Sequence, residues 1–359
     1  MGNAMKESPI NPYHRQQGAS LSYEEGWRMP GVYTDLLREH RATRAACGVF
    51  DISHLGKFSV QGKGASTWLE HMLSNRISYC REGCGQHTLM LNDDGGIIDR
   101  LTIFCDAEGV YRMLGSAALV QEDFDWLSAH LPNGNVELLN ETEKWSAMAV
   151  YGPESSVIFQ RVLPDLKLPP DMSVNHTLYH GEELRITTCG QEGDEGFELF
   201  CPAYRGIFWF EAFVRAGAIP CGMTARECLR LERRKISAGR DTNSKTTPHQ
   251  ARLEHLCATD KNFVGAEAMH QKAGGGFRKK RLAPLECTEP SPPPRHGCTV
   301  RDTRGQSVGS ITSGCISPET GLGVAFAYLN AGMALPGTQL SILIQGHPVR
   351  AVVSNLGVS

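Results

Sequence analysis

A turn rich in asparagine, aspartate and glycine, lying between two apolar runs, is the feature that most constrains how this chain folds. Residues 86–104 read QHTLMLNDDGGIIDRLTIF, and the stretch NDDGG at 92–96 separates the two runs. Glycine and asparagine accept the positive φ angles that tight turns require, and alternating apolar residues on both sides are typical of paired strands. The sequence therefore predicts a β-hairpin here.

The second strand of this hairpin carries two adjacent residues of opposite charge, Asp99 and Arg100. Because successive strand residues point to opposite faces, these two side chains are expected on different sides of the sheet. Arg100 then shares its face with the apolar residues Ile98 and Phe104. A fully desolvated charge is costly, so we expect Arg100 either to reach an edge of the sheet or to line a polar cavity.

Charge and cysteine content exclude several classes of partner. The formal net charge of -3 argues against nucleic acid or an anionic membrane as the main partner, since both select for strongly basic surfaces. No run of about 18 apolar residues and no secretory leader is present, so we expect a cytoplasmic protein. The twelve cysteines are scattered without a CxxC pair, and we expect reduced, buried thiols and no metal site.

The first part of the chain alternates between helical and strand patterns. Apolar spacing predicts helices over residues 33–49 and 62–75, and alternation predicts a strand over 49–60. After the hairpin, a strand near 110–114 and a helix over 117–131 follow. This order is typical of an α+β sandwich, in which helices cover one side of a mostly antiparallel sheet.

A second α+β set of elements begins near residue 144, and a different composition begins after it. The glycine-rich stretch 273–276 and the proline-rich stretch 290–294 mark this change. Beyond residue 280 the sequence predicts only turns and short strands, at 308–312, 322–328, 340–344 and 349–353. We therefore expect a small separate C-terminal β domain, either a barrel or a sandwich.

Two further charged residues are candidates for binding. Glu198 lies in the apolar strand GFELF, where a buried carboxylate needs a partner that donates two hydrogen bonds; the amidine-like edge of a pterin or guanine is such a partner. A glutamate at this position is explained equally well by an ion pair with an arginine elsewhere in the core or by a side chain that faces water. Arg226 begins a helix and is either a salt-bridged helix residue or a clamp for an anionic ligand tail.

Several segments, in order and along nearly the whole chain, together resemble the glycine-cleavage T-protein family of folate-dependent aminomethyltransferases. They are GWRMP at 26–30, GVFDISHLGKFSVQG at 48–62, LNDDGGIIDRL at 91–101, GDEGFEL at 193–199, TARECLRLE at 224–232, GRD at 239–241, NFVGAEAM at 262–269 and VGSITSGCISP at 308–318. The resemblance implies an α+β fold, a three-domain cloverleaf around a central folate pocket.

The expected domains of this cloverleaf follow the partition read from the sequence. Residues 1–50 and 140–272 form an α+β domain with the folate pocket, and residues 51–139 form a ferredoxin-like α+β domain that carries the hairpin. Residues 277–359 form the small C-terminal β-barrel or sandwich domain.

The resemblance also implies a reaction and its participants. Members of the main type take an aminomethyl group from a lipoyl-carrier protein, pass the one-carbon unit to tetrahydrofolate and release ammonia. Transferred by position, Glu198 resembles the carboxylate that binds the pterin edge, and Arg226 the arginine of the folate site. The remaining positions expected to contact folate are Leu55, His87, Ser116, Gln191 and His255.

Some of these positions depart from the family pattern. The family usually has two consecutive aspartates after the hairpin turn, and the second lies near the reacting folate nitrogens; here Asp99 is followed by Arg100. His87 and Gln191 stand in place of tyrosines. Ser116 replaces an asparagine and His255 a tryptophan.

These departures bear on the chemistry expected at Asp99 and Arg100, the two candidate catalytic residues. A guanidinium stays protonated and has only donors, so Arg100 cannot accept a proton as an aspartate does. Arg100 is suited instead to an anionic group such as a carboxylate or phosphate. Fewer aromatic residues also weaken stacking on a pterin ring, so reduced or altered folate affinity is expected.

Three functions therefore stay open for a chain of this kind. The first is a one-carbon transferase with altered or impaired chemistry. The second is a non-catalytic folate-binding regulator of the branch linked to iron-sulfur cluster maintenance, against which Ile236 counts because that branch has a cysteine there. The third is a binding protein that keeps the fold with little or no folate binding, whose ligand would be a small anion.

Overall fold

A computed structural model describes residues 5–188, 195–274 and 280–355 of the chain. The chain divides into two compact units. The first unit comprises Met1–Met72, Arg76–Thr88 and Arg100–Arg226, and the second comprises Leu73–Asn75, Leu89–Asp99 and Glu227–Ser359. The chain therefore passes between the units within the predicted hairpin, whose turn belongs to the second unit.

The α-helices of the described residues are short. In chain order they are α1 (Asn11–Gln16), α2 (Leu36–Ala45), α3 (Ala65–Met72), α4 (Val120–Ala129), α5 (Ser155–Val162), α6 (Gly206–Arg215), α7 (Met223–Glu232), α8 (Pro248–Ala251) and α9 (Ala266–Gly274). None of these described helices is long and apolar enough to cross a membrane. The three helices predicted for the first part of the chain, α2 to α4, are confirmed with shorter bounds.

Helix α2 shows how its bounds are set. Its N-terminus is capped by Asp35, whose side chain accepts a hydrogen bond of 2.8 Å from the backbone N–H of Arg38. The helix ends at Ala45, before the buried glycine at position 48 begins the next strand. Capping explains why the helix starts three residues later than its apolar pattern predicts.

The strands of the described residues form three sheets and one closed barrel. They are β1 (Lys6–Glu7), β2 (Ser20–Glu24), β3 (Trp27–Val32), β4 (Gly48–Asp51), β5 (Gly56–Gln61), β6 (Gly85–Leu91), β7 (Ile97–Ala107), β8 (Val110–Gly115), β9 (Glu137–Asn140), β10 (Trp145–Tyr151), β11 (Ser173–Tyr179), β12 (Glu182–Thr188), β13 (Gly196–Pro202), β14 (Ile219–Cys221), β15 (Lys280–Cys287), β16 (Thr299–Arg301), β17 (Ser307–Ile316), β18 (Gly323–Asn330), β19 (Gln339–Ile344) and β20 (His347–Val353). The sheet orders are β1-β3-β2, β11-β12-β13-β10-β4-β14 and β6-β7-β8-β5-β9.

The single strand predicted over residues 49–60 is wrong, because this segment forms two strands in different sheets. Strand β4 pairs with β10, and β5 pairs with β8 and β9. A turn between them is held by the N–H of Ser53, which donates to the Asp51 carboxylate at 2.9 Å, and by the N–H of Leu55, which donates to the Ile52 carbonyl at 3.1 Å. Strand β4 ends here because the Asp51 side chain bonds to a backbone N–H group of the following turn.

The predicted hairpin is confirmed, and its turn belongs to the second unit. The N–H of Asn92 donates to the Gly96 carbonyl at 2.9 Å, and the Asn92 side chain accepts from the N–H of Gly96 at 2.8 Å. Gly95 has a φ of 72°, which a residue with a side chain rarely adopts. The Asn92 side chain also donates to the Ser244 carbonyl at 2.8 Å, so the turn is fixed within its unit.

The C-terminal β domain is confirmed as a closed barrel, which decides between the barrel and the sandwich. Its strands follow the order β15-β18-β17-β16-β19-β20, all within the second unit. The interior is filled by buried aliphatic residues such as Leu285, Ile311 and Ile342. The fold is thus mixed α+β with a C-terminal barrel, as expected, and the predicted boundaries of the three domains stay a prediction.

Candidate functional site

Glu198 is a fully buried carboxylate in strand β13 of the first unit. Strand pairing places it opposite Ala149 on one side and Thr187 on the other. Its Oε1 accepts a hydrogen bond of 2.8 Å from the Tyr151 hydroxyl, and its Oε2 accepts one of 3.1 Å from the Thr187 hydroxyl. The carboxylate therefore does not face water, which removes one of the alternatives that the sequence left open, and two O–H donors fix its orientation.

Tyr151 and Thr187 were not predicted from the sequence, although Gly196 gave a signal. In the pairing of β10 with β13, Tyr151 lies opposite Gly196. A Cβ on Gly196 would overlap the Val150 carbonyl oxygen and the Tyr151 ring. The glycine two residues before Glu198 is therefore needed for the close approach of the strand that carries the tyrosine.

Lys57 is a buried lysine that fastens the turn between β4 and β5. Its Nζ donates to the carbonyl oxygens of Ser53 at 2.8 Å and Leu55 at 2.9 Å. Burial lowers the pKa of Lys57 to about 7, while the negative charges of Asp51 and Glu198 act in the opposite direction. Lys57 thus holds the backbone at Leu55, a predicted folate position that is itself buried, and it lies within the electrostatic field of Glu198.

Asp51 organises a second buried polar network at the start of the same turn. Its carboxylate accepts hydrogen bonds from the Ser8 hydroxyl, from His14 Nε2 at 2.9 Å and from the N–H of Ser53 at 2.9 Å. The Tyr33 hydroxyl bonds to the other ring nitrogen of His14, Nδ1, at 2.6 Å. Burial would raise the pKa of Asp51, but the bonds from His14, Ser53 and Ser8 together lower it. The network fixes the segment that leads to Leu55.

The candidate catalytic residues lie next to each other on strand β7. Asp99 is fully buried, whereas Arg100 is partly exposed. A register break in the pairing of β7 with β8 lies at Cys105 to Ala107, beyond both residues. His87 on β6 has its Nδ1 3.0 Å from the Thr102 hydroxyl. The catalytic role of Asp99 and Arg100 stays a prediction.

The remaining predicted positions lie at the ends of elements. Ser116 follows β8 and is partly buried, and Arg226 lies in the first turn of α7, also partly buried. His255 is exposed in a short 3₁₀ turn, and Gln191 lies outside the described residues. The first unit contains Leu55, His87, Arg100, Ser116, Glu198 and Arg226, whereas Asp99 and His255 belong to the second. Their contacts with folate stay predictions.

A buried ion pair in the second unit joins three of the segments that carry the family resemblance. Arg230 Nη1 donates to Asp241 Oδ2 at 2.8 Å, and Arg230 also pairs with Glu227 at 2.7 Å. Asp241 Oδ1 accepts from the hydroxyls of Thr312 at 2.6 Å and Ser313 at 2.5 Å. Burial lowers the pKa of Arg230, but the two carboxylates outweigh it and raise that pKa further above its ordinary value. These motif residues are therefore bonded to one another within the second unit.

The side chains that could bind a metal ion lie apart from one another in the part of the chain that the structure describes. There, no three histidine, cysteine, aspartate or glutamate side chains gather as a metal ion would require. The described cysteines are free thiols, and burial raises the pKa of several of them, including Cys47 and Cys80 to about 12. Such thiols pack as small apolar residues.

Comparisons with known proteins agree with the resemblance. Residues 10–261 match the family model of the GCVT N-terminal domain, and residues 280–357 match that of the glycine cleavage T-protein C-terminal barrel domain. An aminomethyltransferase of Halothermothrix orenii is 32% identical over 98% of this chain and 99% of its own. An aminomethyltransferase of Chlorobium luteolum is 33% identical over 95% of each chain.

A solved structure agrees as well. The crystal structure of glycine cleavage system aminomethyltransferase T from Bartonella henselae superposes with a TM-score of 0.90 at 26% identity, covering 99% of this chain and 98% of that one. With matching family models over both parts of its length, this chain belongs to the glycine cleavage T-protein family of aminomethyltransferases.

Proposed function

We propose that this chain binds tetrahydrofolate through Glu198 and is a one-carbon transferase whose chemistry is altered by Arg100. The observation that carries the proposal is the buried Glu198 carboxylate, fixed by the hydroxyls of Tyr151 and Thr187 in a member of the aminomethyltransferase family. A buried carboxylate is costly unless donors satisfy it. A ligand with two adjacent N–H donors is complementary to a carboxylate oriented in this way.

The residues present fit the pterin part of folate. A pterin edge offers two adjacent N–H donors, and a carboxylate accepts about four hydrogen bonds in all, so it binds such an edge bidentately. Lys57 Nζ donates to the carbonyl oxygen of Leu55 at 2.9 Å. This bond fixes the backbone of a residue that is predicted to contact folate. Folate then supplies the nitrogens that accept the one-carbon unit, whereas Glu198 binds and orients the ring.

Arg100 is the reason to expect altered chemistry. A carboxylate at this position can take up a proton and stabilise a developing positive charge, and a guanidinium does neither. Asp99 precedes it on the same strand, where alternation directs the two side chains to opposite faces. The transfer expected of the family is therefore slow or redirected to a donor with an anionic group, which Arg100 would bind.

The alternative function is a non-catalytic binding or regulatory protein with little or no folate affinity. Arg100 favours this alternative, because a positive charge in place of the reactive acid would repel a positively charged reaction intermediate. The lipoyl-carrier protein of glycine cleavage is a partner only under the first proposal, in which it delivers the aminomethyl group. Under the second, the ligand is a small anion bound at Arg100.

Calorimetric titration of the full chain with tetrahydrofolate distinguishes the two functions. Replacing Glu198 by Gln exchanges an acceptor oxygen for a donor, which removes charge-assisted bonds of about 1.5–3 kcal/mol and weakens binding roughly 10- to 150-fold. The matched control is Glu182→Gln, at a glutamate paired with Arg205 at 2.6 Å. Binding that is lost in Glu198→Gln and kept in the control is expected; absence of any heat with the wild-type chain favours the alternative.

A further inference from the structure

A groove on the first unit is lined by helix α6, by the end of α5 and by the turn that joins β11 to β12. We call it the α6 groove. Its volume is about 540 Å³, within the range of about 300–1,000 Å³ that is typical of small-molecule sites. None of the described residues predicted to contact folate lines it, and Lys57 and Thr187 do not line it either. The α6 groove is therefore a separate position on this unit.

Two exposed arginines lie at one end of the α6 groove. Arg161, on α5, donates from Nη1 to the carbonyl oxygen of Ala216 at 2.8 Å, which holds it at the end of α6 where Arg215 also lies. Among the described residues, no carboxylate pairs with Arg161. Arg215 is 75% exposed, and its described partner is Glu211, one turn earlier on α6, at 2.8 Å. Because an exposed ion pair of this kind is weak, both guanidinium groups are available to an anion.

Aromatic side chains line the rest of the α6 groove. The Phe208 side chain is 50% exposed, and the Arg205 guanidinium lies over its ring, 4.2 Å from the centroid. Glu182 holds this wall together, since it accepts hydrogen bonds from Arg205 at 2.6 Å and from Trp209 Nε1 at 3.1 Å. The Tyr179 ring lies 6.1 Å from the Trp209 ring. An exposed aromatic face fixed in this way can stack on the planar ring of a ligand.

Helix α6 sets the distance between the exposed phenyl ring and the two exposed arginines. Phe208, Ala212 and Arg215 follow the spacing i, i+4, i+7, so they share one face of the helix. The seven residues from Phe208 to Arg215 correspond to about 10 Å along the helix axis, at about 1.5 Å per residue. Ala212 lies between them and lines the groove with a side chain of one carbon. A ligand that reaches both ends therefore needs a planar ring and an anionic group separated by a spacer.

We propose that the α6 groove binds a nucleoside monophosphate. Its phosphate accepts hydrogen bonds from Arg161 and Arg215, its base stacks on Phe208, and its ribose is the spacer that lies over Ala212. A phosphate monoester carries a charge of about -1.5 to -2 at pH 7 and suits guanidinium groups, which bind its oxygens bidentately. The lining of three arginines and one glutamate is basic, although the whole chain has a formal net charge of -3. This site goes beyond the proposed function, because it requires neither folate nor Glu198.

Adenosine 5′-monophosphate (AMP) and two of its fragments test the proposal with the full chain, without folate and at about 0.15 M salt. Ribose 5-phosphate lacks the base, and adenosine lacks the phosphate. We expect ligand-observed NMR to show AMP binding with a Kd on the order of 1 mM or below, and each fragment binding at least about tenfold more weakly. No AMP binding at about 10 mM, or a fragment that binds as tightly as AMP, would overturn the proposal.

Variants locate the binding. Arg161→Gln should weaken AMP binding about tenfold or more and remove the preference for AMP over adenosine, whereas Phe208→Ala should remove the preference for AMP over ribose 5-phosphate. The controls are Arg41→Gln and Tyr23→Ala, at exposed positions of the first unit that do not line the groove. Test variants that bind AMP as the controls do would overturn the proposal.

A crystal structure of the wild-type chain with AMP gives an answer that does not depend on how the variants fold. We expect electron density for the nucleotide along α6, with the phosphate at Arg161 and Arg215. A groove that holds only ordered water at about 10 mM AMP would overturn the proposal.

Discussion

Replacing Lys57 by methionine should change how the stability of the first unit depends on pH. The ordinary pKa of a lysine, 10.5, falls to about 7 for Lys57 because the side chain is buried. This difference of about 3.5 pH units corresponds to about 5 kcal/mol at about 1.36 kcal/mol per unit, which is an upper bound on the cost of keeping Lys57 charged below pH 7. The carbonyl oxygens of Ser53 and Leu55 favour the charged form and reduce that cost.

The sign of the effect follows from proton linkage. Between pH 7 and 10.5 the unfolded chain keeps the Lys57 proton and the folded chain has released it, so the unfolded state binds more protons. The free energy of unfolding therefore rises with pH in this window, by at most about 1.4 kcal/mol per pH unit. Below pH 7 both states are protonated and the contribution of Lys57 no longer changes.

Tryptophan fluorescence during urea unfolding measures this effect in the correct unit. All five tryptophans, at positions 27, 68, 126, 145 and 209, belong to the first unit. We expect the wild-type chain to gain stability from pH 7 to 9 and Lys57→Met to lose that gain. The control is Lys63→Met, since Lys63 is exposed. Equal pH slopes for Lys57→Met and the wild type would refute the reasoning.

Three other substitutions test the buried networks. Asp241→Asn should destabilise the second unit by about 3–5 kcal/mol, because it removes the carboxylate partner of buried Arg230; hydrogen exchange of the barrel strands measures this. Asp51→Asn should flatten the loss of stability below about pH 4, since the lowered pKa of Asp51 makes its ionised form stabilising above that pH, and acid titration of fluorescence measures it. Gly196→Ala should displace strand β13 at a cost of about 1–3 kcal/mol and weaken folate binding, measured by urea unfolding and calorimetry.

Each of these substitutions has a control at an exposed or open position. Asp302→Asn keeps the side-chain oxygen that accepts from two backbone N–H groups in a turn of the second unit. Asp125→Asn is the control for Asp51→Asn, since Asp125 is exposed on α4. Gly332→Ala is the control for Gly196→Ala, since no atom lies near a Cβ added at Gly332. A test variant whose stability, or pH dependence of stability, matches that of its control would contradict the role given to its network.

Much of the fold follows from local sequence patterns. The hairpin was predictable because Asn92 and Gly95 are the residues that its turn chemistry requires, and the bond from Gly96 to Asn92 is local. The C-terminal strands were predictable because their alternation and turns are local too. The break between β4 and β5 was not, since it depends on the Asp51 side chain taking a backbone N–H that a strand would use elsewhere.

The candidate site was predictable only in part. The resemblance singled out Glu198, but its partners Tyr151 and Thr187 lie 47 and 11 residues away and meet it through strand register. Register between distant strands is not written in either strand alone. Lys57 was missed because a lysine at an alternating strand position looks exposed, whereas it lies in a sheet with both faces covered.

Single-turnover transfer of an aminomethyl group to tetrahydrofolate, compared between the wild-type chain and Arg100→Asp, tests the central claim most directly. The claim is that the chain keeps the folate site around Glu198 and that Arg100 limits the reaction. We expect Arg100→Asp to transfer the group at least about 100-fold faster than the wild type, within the 10²–10⁴ range of general acid–base catalysis. A wild-type chain already as fast as the variant, or a variant that binds tetrahydrofolate and stays inactive, would contradict the claim.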